Sequence, residues 1–298
     1  GCLSICLHNK YMQILFYMLL SMLTTITQCK PTILVTLDGV RWQEIYNGTD
    51  DVFYHETPIK PEELTPNLHD YFVQQGIAIG KETPMIASGP NHVSMLGYLE
   101  ITRGHPSIDC KNNSCNPLIE QSIFRFFNNS AVFGSWGNIE KTLPKDENIT
   151  YDIGKIYRFD NLTEEAALKY LFKSNIFQTC NDFLWISLGD TDEWAHLSGY
   201  KAYIESLQNA DSFIGLLVWL FPNSNIIVTT DHGRSLNFKD HGLDHESERV
   251  WLMMRGPNIP IKGIVKTNYI SLSNIMPTIF SLKWQTNLDD SILSNLMD

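Results

Sequence analysis

The chain has 298 residues, 43% of them hydrophobic and 18% charged, which excludes a disordered polymer and supplies one large α/β domain or two small ones. Its formal net charge of −11 repels nucleic-acid backbones and anionic membranes, so duplex binding is excluded as a function class. The same field would repel any anionic substrate unless bound cations reversed its sign locally.

From the N-terminus, Lys10 precedes an apolar run, Tyr11 to Leu23, followed by the small and polar residues Thr24 to Gln28. That run has the length of a signal-peptide core and is short for a membrane span. Residues 1–28 are therefore expected to be a signal peptide or signal anchor, with residues 29–298 forming one folded domain. A buried helix is the alternative reading of the same run. Five N-x-S/T sequons follow, at Asn47, Asn112, Asn128, Asn148 and Asn161, and favour the secretory route and a glycoprotein. Of the six cysteines, Cys2 and Cys6 fall in the N-terminal segment. Cys110 and Cys115 sit among polar residues as a small loop disulfide would, while Cys29 and Cys180 are left as an open pairing.

Thr32 to Leu37 is a continuous apolar run ending at Asp38-Gly39, and reads as a buried parallel strand. Pro66 to Gln75 reads as a helix ended by Gly76, and Val93 to Thr102 as a helix closed by Gly104. Ala131 to Ser135 is a short strand and Thr163 to Phe172 a helix. Phe183 to Leu188 is a second buried strand, running into Gly189-Asp190-Thr191-Asp192. Tyr200 to Leu220 is apolar at helical spacing. Asn225 to Thr230 is a third buried strand, ending at Asp231-His232-Gly233. Val250 to Met254 reads as a fourth and Leu272 to Leu282 as a final helix. The alternation predicts an α/β fold with a mostly parallel central sheet sandwiched by helices, and such sheets bind ligands beyond the carboxyl ends of their strands.

Three of those ends carry carboxylates that core packing does not need. Zinc takes imidazole nitrogen and carboxylate oxygen, and a catalytic ion keeps a position open. Asp192 and His196 are four residues apart and share one face if the segment is helical. Asp231 and His232 are adjacent beyond a strand, and His241 follows nine residues after His232. With Asp38 these six residues divide into two ligand sets. Asp190 is expected near them but outside both sets, and His245 is read as solvated. His92 and His105 are read as structural or surface residues.

The segments LDGVRW (37–42), GDTDEWAH (189–196), TTDHGR (229–234) and KDHG (239–242) resemble, in order, the metal-binding motifs of the alkaline phosphatase superfamily, in particular its phosphodiesterase and nucleotide pyrophosphatase branch. The likeness runs from about Thr32 to Leu282 and makes 29–298 the expected catalytic domain. It implies that Asp192, His196 and His241 hold one zinc and that Asp38, Asp231 and His232 hold the other. Manganese or iron would accept the same donors. It also implies a Ser or Thr nucleophile opening a helix. Ser94 lies ten residues before Gly104 as that pattern requires, although Leu96 and Arg103 stand where Pro and Thr are usual. Ser88, in Ser88-Gly89-Pro90-Asn91-His92, is the rival. Asn113 lies in about the region where the family places a donor to the phosphoryl group.

The implied activity is hydrolysis of a small phosphorylated substrate, a nucleotide or other phosphodiester or a monoester, through a metal-activated Ser and a phosphoseryl intermediate. Two alternatives remain: an inactive secreted decoy on the same fold, and a sulfatase. Ser94-Met95-Leu96-Gly97-Tyr98 lacks the Pro and Arg of the sulfatase motif. The expected location is secreted or extracytoplasmic, with membrane contact only through the N-terminal segment.

Overall fold

The computed structural model describes residues 29–145, 148–173 and 177–296. The expected signal segment, with Cys2 and Cys6, lies outside the described residues. No helix among those residues is long and apolar enough to cross a membrane.

Eleven strands run in chain order as β1 (Thr32–Leu37), β2 (Ile77–Ile79), β3 (Met85–Ile86), β4 (Asn129–Gly134), β5 (Ile149–Ile153), β6 (Asp182–Leu188), β7 (Asn225–Thr229), β8 (Arg249–Val250), β9 (Leu252–Arg255), β10 (Gly263–Ile264) and β11 (Ile270–Ser271). Eight form the main sheet in the order β10-β2-β9-β7-β1-β6-β4-β5, and β11-β3-β8 form a small second sheet. The pairings among β7, β1, β6, β4 and β5 are all parallel, whereas β9 pairs antiparallel with both β7 and β2.

The principal helices are α1 (Trp42–Asn47), α2 (Ser94–Arg103), α3 (Asp160–Lys173), α4 (Asp190–Leu197), α5 (Tyr200–Leu220) and α6 (Ile275–Trp284). They cover both faces of the sheet. Alternate residues of β1 divide between two cores, Ile33, Val35 and Leu37 to one and Leu34 to the other. The first core packs against α3, α4 and α5, the second against α2 and α6. This explains why the central strands are mostly apolar without alternation: both faces are buried.

The long expected elements are present with ends shifted by a few residues. The stretch from Pro66 is a short α-helical turn, Pro66–Leu68, that continues as a π-helical turn, His69–Val73. Val250 to Met254, read as one strand, is two: Val250 ends in the small sheet and Leu252 begins in the large one. Gly104 caps α2 in the left-handed conformation, as expected. Both disulfides, Cys110–Cys115 and Cys29–Cys180, are formed. The asparagines of all five sequons are exposed.

Register assembles the site. Leu37 pairs with Leu188 and Thr36 with Thr229, so β1, β6 and β7 stop side by side. Asp38, Gly189-Asp190 and Thr230-Asp231 therefore leave the sheet at one edge. Helix α2 lies close over this edge, because a Cβ at Gly97 would stand 2.2 Å from the Asp231 carbonyl oxygen. Gly97→Ala is expected to force α2 away from the Asp231 loop, at a cost of about 1–3 kcal/mol. Thermal unfolding should show a lowered midpoint, and an unchanged midpoint would contradict this packing.

Candidate metal centre

The structure brings the six predicted side chains together as two groups. Asp38, Asp231 and His232 offer ligand atoms within 4.8 Å of one another, and so do Asp192, His196 and His241. Each group combines carboxylate and imidazole donors. The first group is buried, whereas the His196 side chain is 37% exposed, so the centre opens to solvent past the second group.

Asp38 follows β1 directly. Its carboxylate accepts the Tyr98 hydroxyl at 2.8 Å, and its carbonyl oxygen accepts the Thr191 hydroxyl at 2.6 Å. Asp231 Oδ1 accepts the amide of Gly39 at 3.1 Å. Gly39 adopts φ +63°, and a Cβ there would meet Arg234 at 2.6 Å and Asp192 at 2.7 Å. Only glycine lets the chain turn so tightly against the site. His232 Nδ1 lies 2.8 Å from the Gly233 carbonyl oxygen, which fixes that nitrogen as the donor and leaves Nε2 as the free ligand atom. His232 Nε2 points at Asp38 and Asp231, at 3.3 and 3.4 Å.

In the second group, Asp192 and His196 lie one turn apart on α4, with Oδ2 and Nε2 3.2 Å apart. His241 Nδ1 donates to the His92 carbonyl oxygen at 3.0 Å, which leaves Nε2 facing Asp192 at 3.7 Å. The His241 ring stacks on His232, with centroids 3.8 Å apart. The loop that delivers His241 is tied down by Arg234. This guanidinium bonds the Asp192 carboxylate, the Phe238 carbonyl oxygen at 2.5 Å and the Lys239 carbonyl oxygen at 2.9 Å. Phe238 itself is buried at φ +67°, between the guanidinium groups of Arg41 at 5.4 Å and Arg234 at 5.3 Å.

Ser94 opens α2 and is 4% exposed. Its hydroxyl lies 3.2 Å from Asp38 Oδ1 and 3.2 Å from His232 Nε2, inside the buried group. Ser88 is placed differently. Its hydroxyl and amide both bond the buried carboxylate of Glu100, at 2.5 and 2.9 Å, and Ser273 bonds the same carboxylate. Asn113 does reach the site's edge, where its Oδ1 accepts the Met95 amide at 2.9 Å in the first turn of α2.

The remaining sequence expectations divide. Asp190 belongs to neither group: it starts the helix that carries Asp192 and His196, points away from them by its two-residue offset, and accepts the Tyr157 hydroxyl. His245 is exposed against Glu248, 3.1 Å away. His92 is buried, in keeping with the structural reading, and its carbonyl oxygen orients His241. Arg234 and Tyr98 escaped the sequence reading as site residues, although Arg234 sits inside TTDHGR and Tyr98 lies four residues after Ser94.

The charge balance tests whether this donor set fits a metal. Three carboxylates converge with Arg234 as their one guanidinium contact among the described residues. Asp231 Oδ2 is buried without a hydrogen-bond partner, which is costly for a carboxylate unless a cation answers it. Burial and the neighbouring Asp38 charge push the Asp231 carboxyl up to about 8. Burial alone would lower His232, but Asp231 and Asp38 hold it up at about 9. Burial and the nearby His232 lower His241 to about 3, keeping it neutral and free to ligate. Burial would raise Asp192, yet the His196 hydrogen bond and the Arg234 charge hold it below the ordinary carboxylate range. The metal-free protein thus draws protons to positions where a divalent cation would supply the charge, and the donor set fits such an ion.

No curated protein matches the chain by sequence. Its fold is shared with solved structures at low identity. One is a protein in the alkaline phosphatase superfamily from Vibrio parahaemolyticus, with a TM-score of 0.58, 14% identity and coverage of 86% of this chain and 66% of that one. Another is the lipoteichoic acid synthase LtaP from Listeria monocytogenes, at 0.62, 12%, 89% and 74%. A third is a putative sulfatase from Bacteroides thetaiotaomicron, at 0.61, 13%, 88% and 72%. The family model of the metalloenzyme superfamily matches residues 129–283, which include α3, β6, α4, β7 and the segments around Asp192, His196, Asp231, His232 and His241. The chain therefore belongs to the metalloenzyme superfamily and has an alkaline-phosphatase-like fold.

Proposed function

We propose that this protein is a secreted two-metal hydrolase of phosphate esters, with Ser94 as nucleophile. The observation that carries the reading is the Ser94 hydroxyl at 3.2 Å from both Asp38 and His232, on the inner side of two mixed carboxylate–imidazole groups. In this reading Asp38, Asp231 and His232 hold one divalent ion and Asp192, His196 and His241 the other. Zinc suits these donors best, and manganese or iron would also accept them. When bound, the two ions supply positive charge for the attacking and leaving oxygens of an in-line displacement.

The chain's own residues do the rest. The start of α2 holds Ser94 where its proton can pass to the Asp38 carboxylate, 3.2 Å away. Ser94 Oγ then forms the phosphorus–oxygen bond as the leaving alkoxide departs, giving a phosphoseryl ester. Water attacks that ester from the side the leaving group vacated, and Ser94 regains its proton. Asn113 orders the first turn of α2, and with it Ser94, by accepting the Met95 amide. Substrates in this class are small phosphorylated molecules, nucleotides and other diesters among them.

A sulfatase reading draws support from the sulfatase among the structural relatives, but Leu96 and Tyr98 stand where the sulfatase motif has Pro and Arg. A decoy reading would expect eroded ligands, and all six side chains are present and grouped.

Hydrolysis of p-nitrophenyl phosphate and of the p-nitrophenyl ester of thymidine monophosphate, set beside p-nitrophenyl sulfate, tests this reading. Ser94→Ala should lower phosphoester turnover by roughly three orders of magnitude or more, while Ser88→Ala keeps most of it. Turnover of the sulfate alone, or activity surviving Ser94→Ala, would overturn the assignment.

Metal removal gives a second prediction. The folded metal-free state holds Asp231 and His232 at about 8 and about 9, above their ordinary unfolded values. Between pH 6.5 and 9 it therefore binds more protons than the unfolded chain, and its stability falls as pH rises through this window. Chelated protein should show a falling melting temperature over that range. Added zinc should restore stability most strongly at the alkaline end, because the ion replaces those protons. A flat profile that zinc leaves unchanged would contradict a cation requirement.

A third prediction concerns the strap. Arg234→Met should release the His241 loop from Asp192 and weaken metal retention in dialysis, while the fold, read by circular dichroism, persists.

A further inference from the structure

Helix α4 has two working faces. Asp192 and His196 lie on one, and Asp190 and Trp194, offset by two residues, lie about half a turn away on the other. That second face closes one end of a groove of about 950 Å³ between α3 and α5. The volume is in the range of small-molecule sites.

The groove is graded along its length. Near α4 the rings of Phe159 and Trp194 lie parallel, with centroids 6.0 Å apart and 5° between their planes. Towards the far end of α3 the lining is apolar, with Phe172 and Leu216 exposed.

The charges are graded too. Glu165 is answered by Lys169 at 2.5 Å. Asp160 is spent on the Ser135 hydroxyl at 2.6 Å and on the amides of Gly189 and Asp190 at 2.8 and 3.0 Å. Asp190 accepts the Tyr157 hydroxyl and meets no cationic side chain among the described residues. Glu164, half-buried in the wall, has neither hydrogen bond nor ion pair among the described residues. Burial and the Asp190 charge push its carboxyl up to about 7. Lys173, the other cation of the wall, stands nine residues further along α3, about 13 Å away.

We propose that this groove binds an organic cation with an apolar body, its ammonium group set between Glu164, Asp190 and the Phe159 and Trp194 rings, its body lying towards Phe172 and Leu216. Charge complementarity selects this occupant. An anion would meet two uncompensated carboxylates, and a neutral apolar molecule would desolvate them further without an answering charge. A metal ion would need a third ligand atom close by, and among the described residues such groups occur only at the catalytic centre. Aromatic faces beside carboxylates suit an alkylated ammonium, which is weakly hydrated and attracted by the ring quadrupole. The site is on the opposite face of α4 from the candidate metal ligands, so the proposal stands apart from the hydrolytic reading.

The test is calorimetric titration of the whole protein with phenyltrimethylammonium, compared with its uncharged isostere tert-butylbenzene. Saturable one-to-one binding of the cation is expected, with the isostere weaker. Glu164→Gln and Trp194→Leu should each weaken binding by about three- to thirtyfold, while phosphoester turnover of Glu164→Gln stays near that of the parent. Absence of saturable binding, equal binding of the isostere, or affinity unchanged in Glu164→Gln would overturn the proposal. The last of these decides even if Trp194→Leu fails to fold. Loss of hydrolysis in Ser94→Ala with cation binding intact would show the two sites to be separate.

Discussion

The convergence of Asp38, Asp192 and Asp231 is the constraint on which the rest of the structure depends. Three carboxylates at the edge of one sheet repel one another, and burial strengthens that repulsion. Arg234 answers Asp192, but Asp231 Oδ2 has no hydrogen-bond donor among the described residues, with the His232 ring 3.4 Å away. The fold tolerates this because the strands that carry the acids are buried and paired on both sides, with β1 between β6 and β7. The sheet's hydrophobic burial, not the site, holds the acids in place. A bound cation would turn the stored repulsion into affinity and, in the proposed reading, let a protein of net charge −11 receive an anionic substrate.

Around this centre lies a shell of groups that aim the ligands. The carbonyl oxygens of Gly233 and His92 each take the Nδ1 proton of a histidine, so both Nε2 atoms face inward. Tyr98 steadies Asp38 from the same helix that presents Ser94. Phe238 pays backbone strain, at φ +67°, to offer its carbonyl to Arg234 while its ring separates two guanidinium groups. Aim and charge are thus set by different residues, and a change in the shell would misplace ligands without altering the donor set.

Much of this was legible in the sequence, for physical reasons. The apolar runs of β1, β6 and β7 have no polar face, so they had to be central strands, and an acid directly beyond such a run has to lie at the sheet's edge. Motif order alone separates the six ligand candidates into two groups of three, and each group is assembled in the structure. What stayed hidden was whatever depends on backbone groups or on short pairings. β2 and β10 have too few residues to carry a period, and Val250 to Met254 looks continuous although Trp251 separates two sheets. The roles of His92 and Phe238 run through their carbonyl oxygens, which every residue possesses. Glu100 is the sequence feature that separates Ser94 from Ser88. It lies between Leu99 and Ile101 in a buried helix, so its carboxylate needs donors, and Ser88 is one of them.

The claim that two cation sites share one sheet edge is tested most directly by counting bound metal in the purified protein and in two single variants, by inductively coupled plasma mass spectrometry. The account predicts about two divalent ions per chain in the parent. Asp192→Asn should lose the ion of the outer, more exposed group and keep the other, while Asp231→Asn should lose the buried one. A well-folded parent that retains no divalent ion at neutral pH, or variants that retain as many ions as the parent, would contradict it.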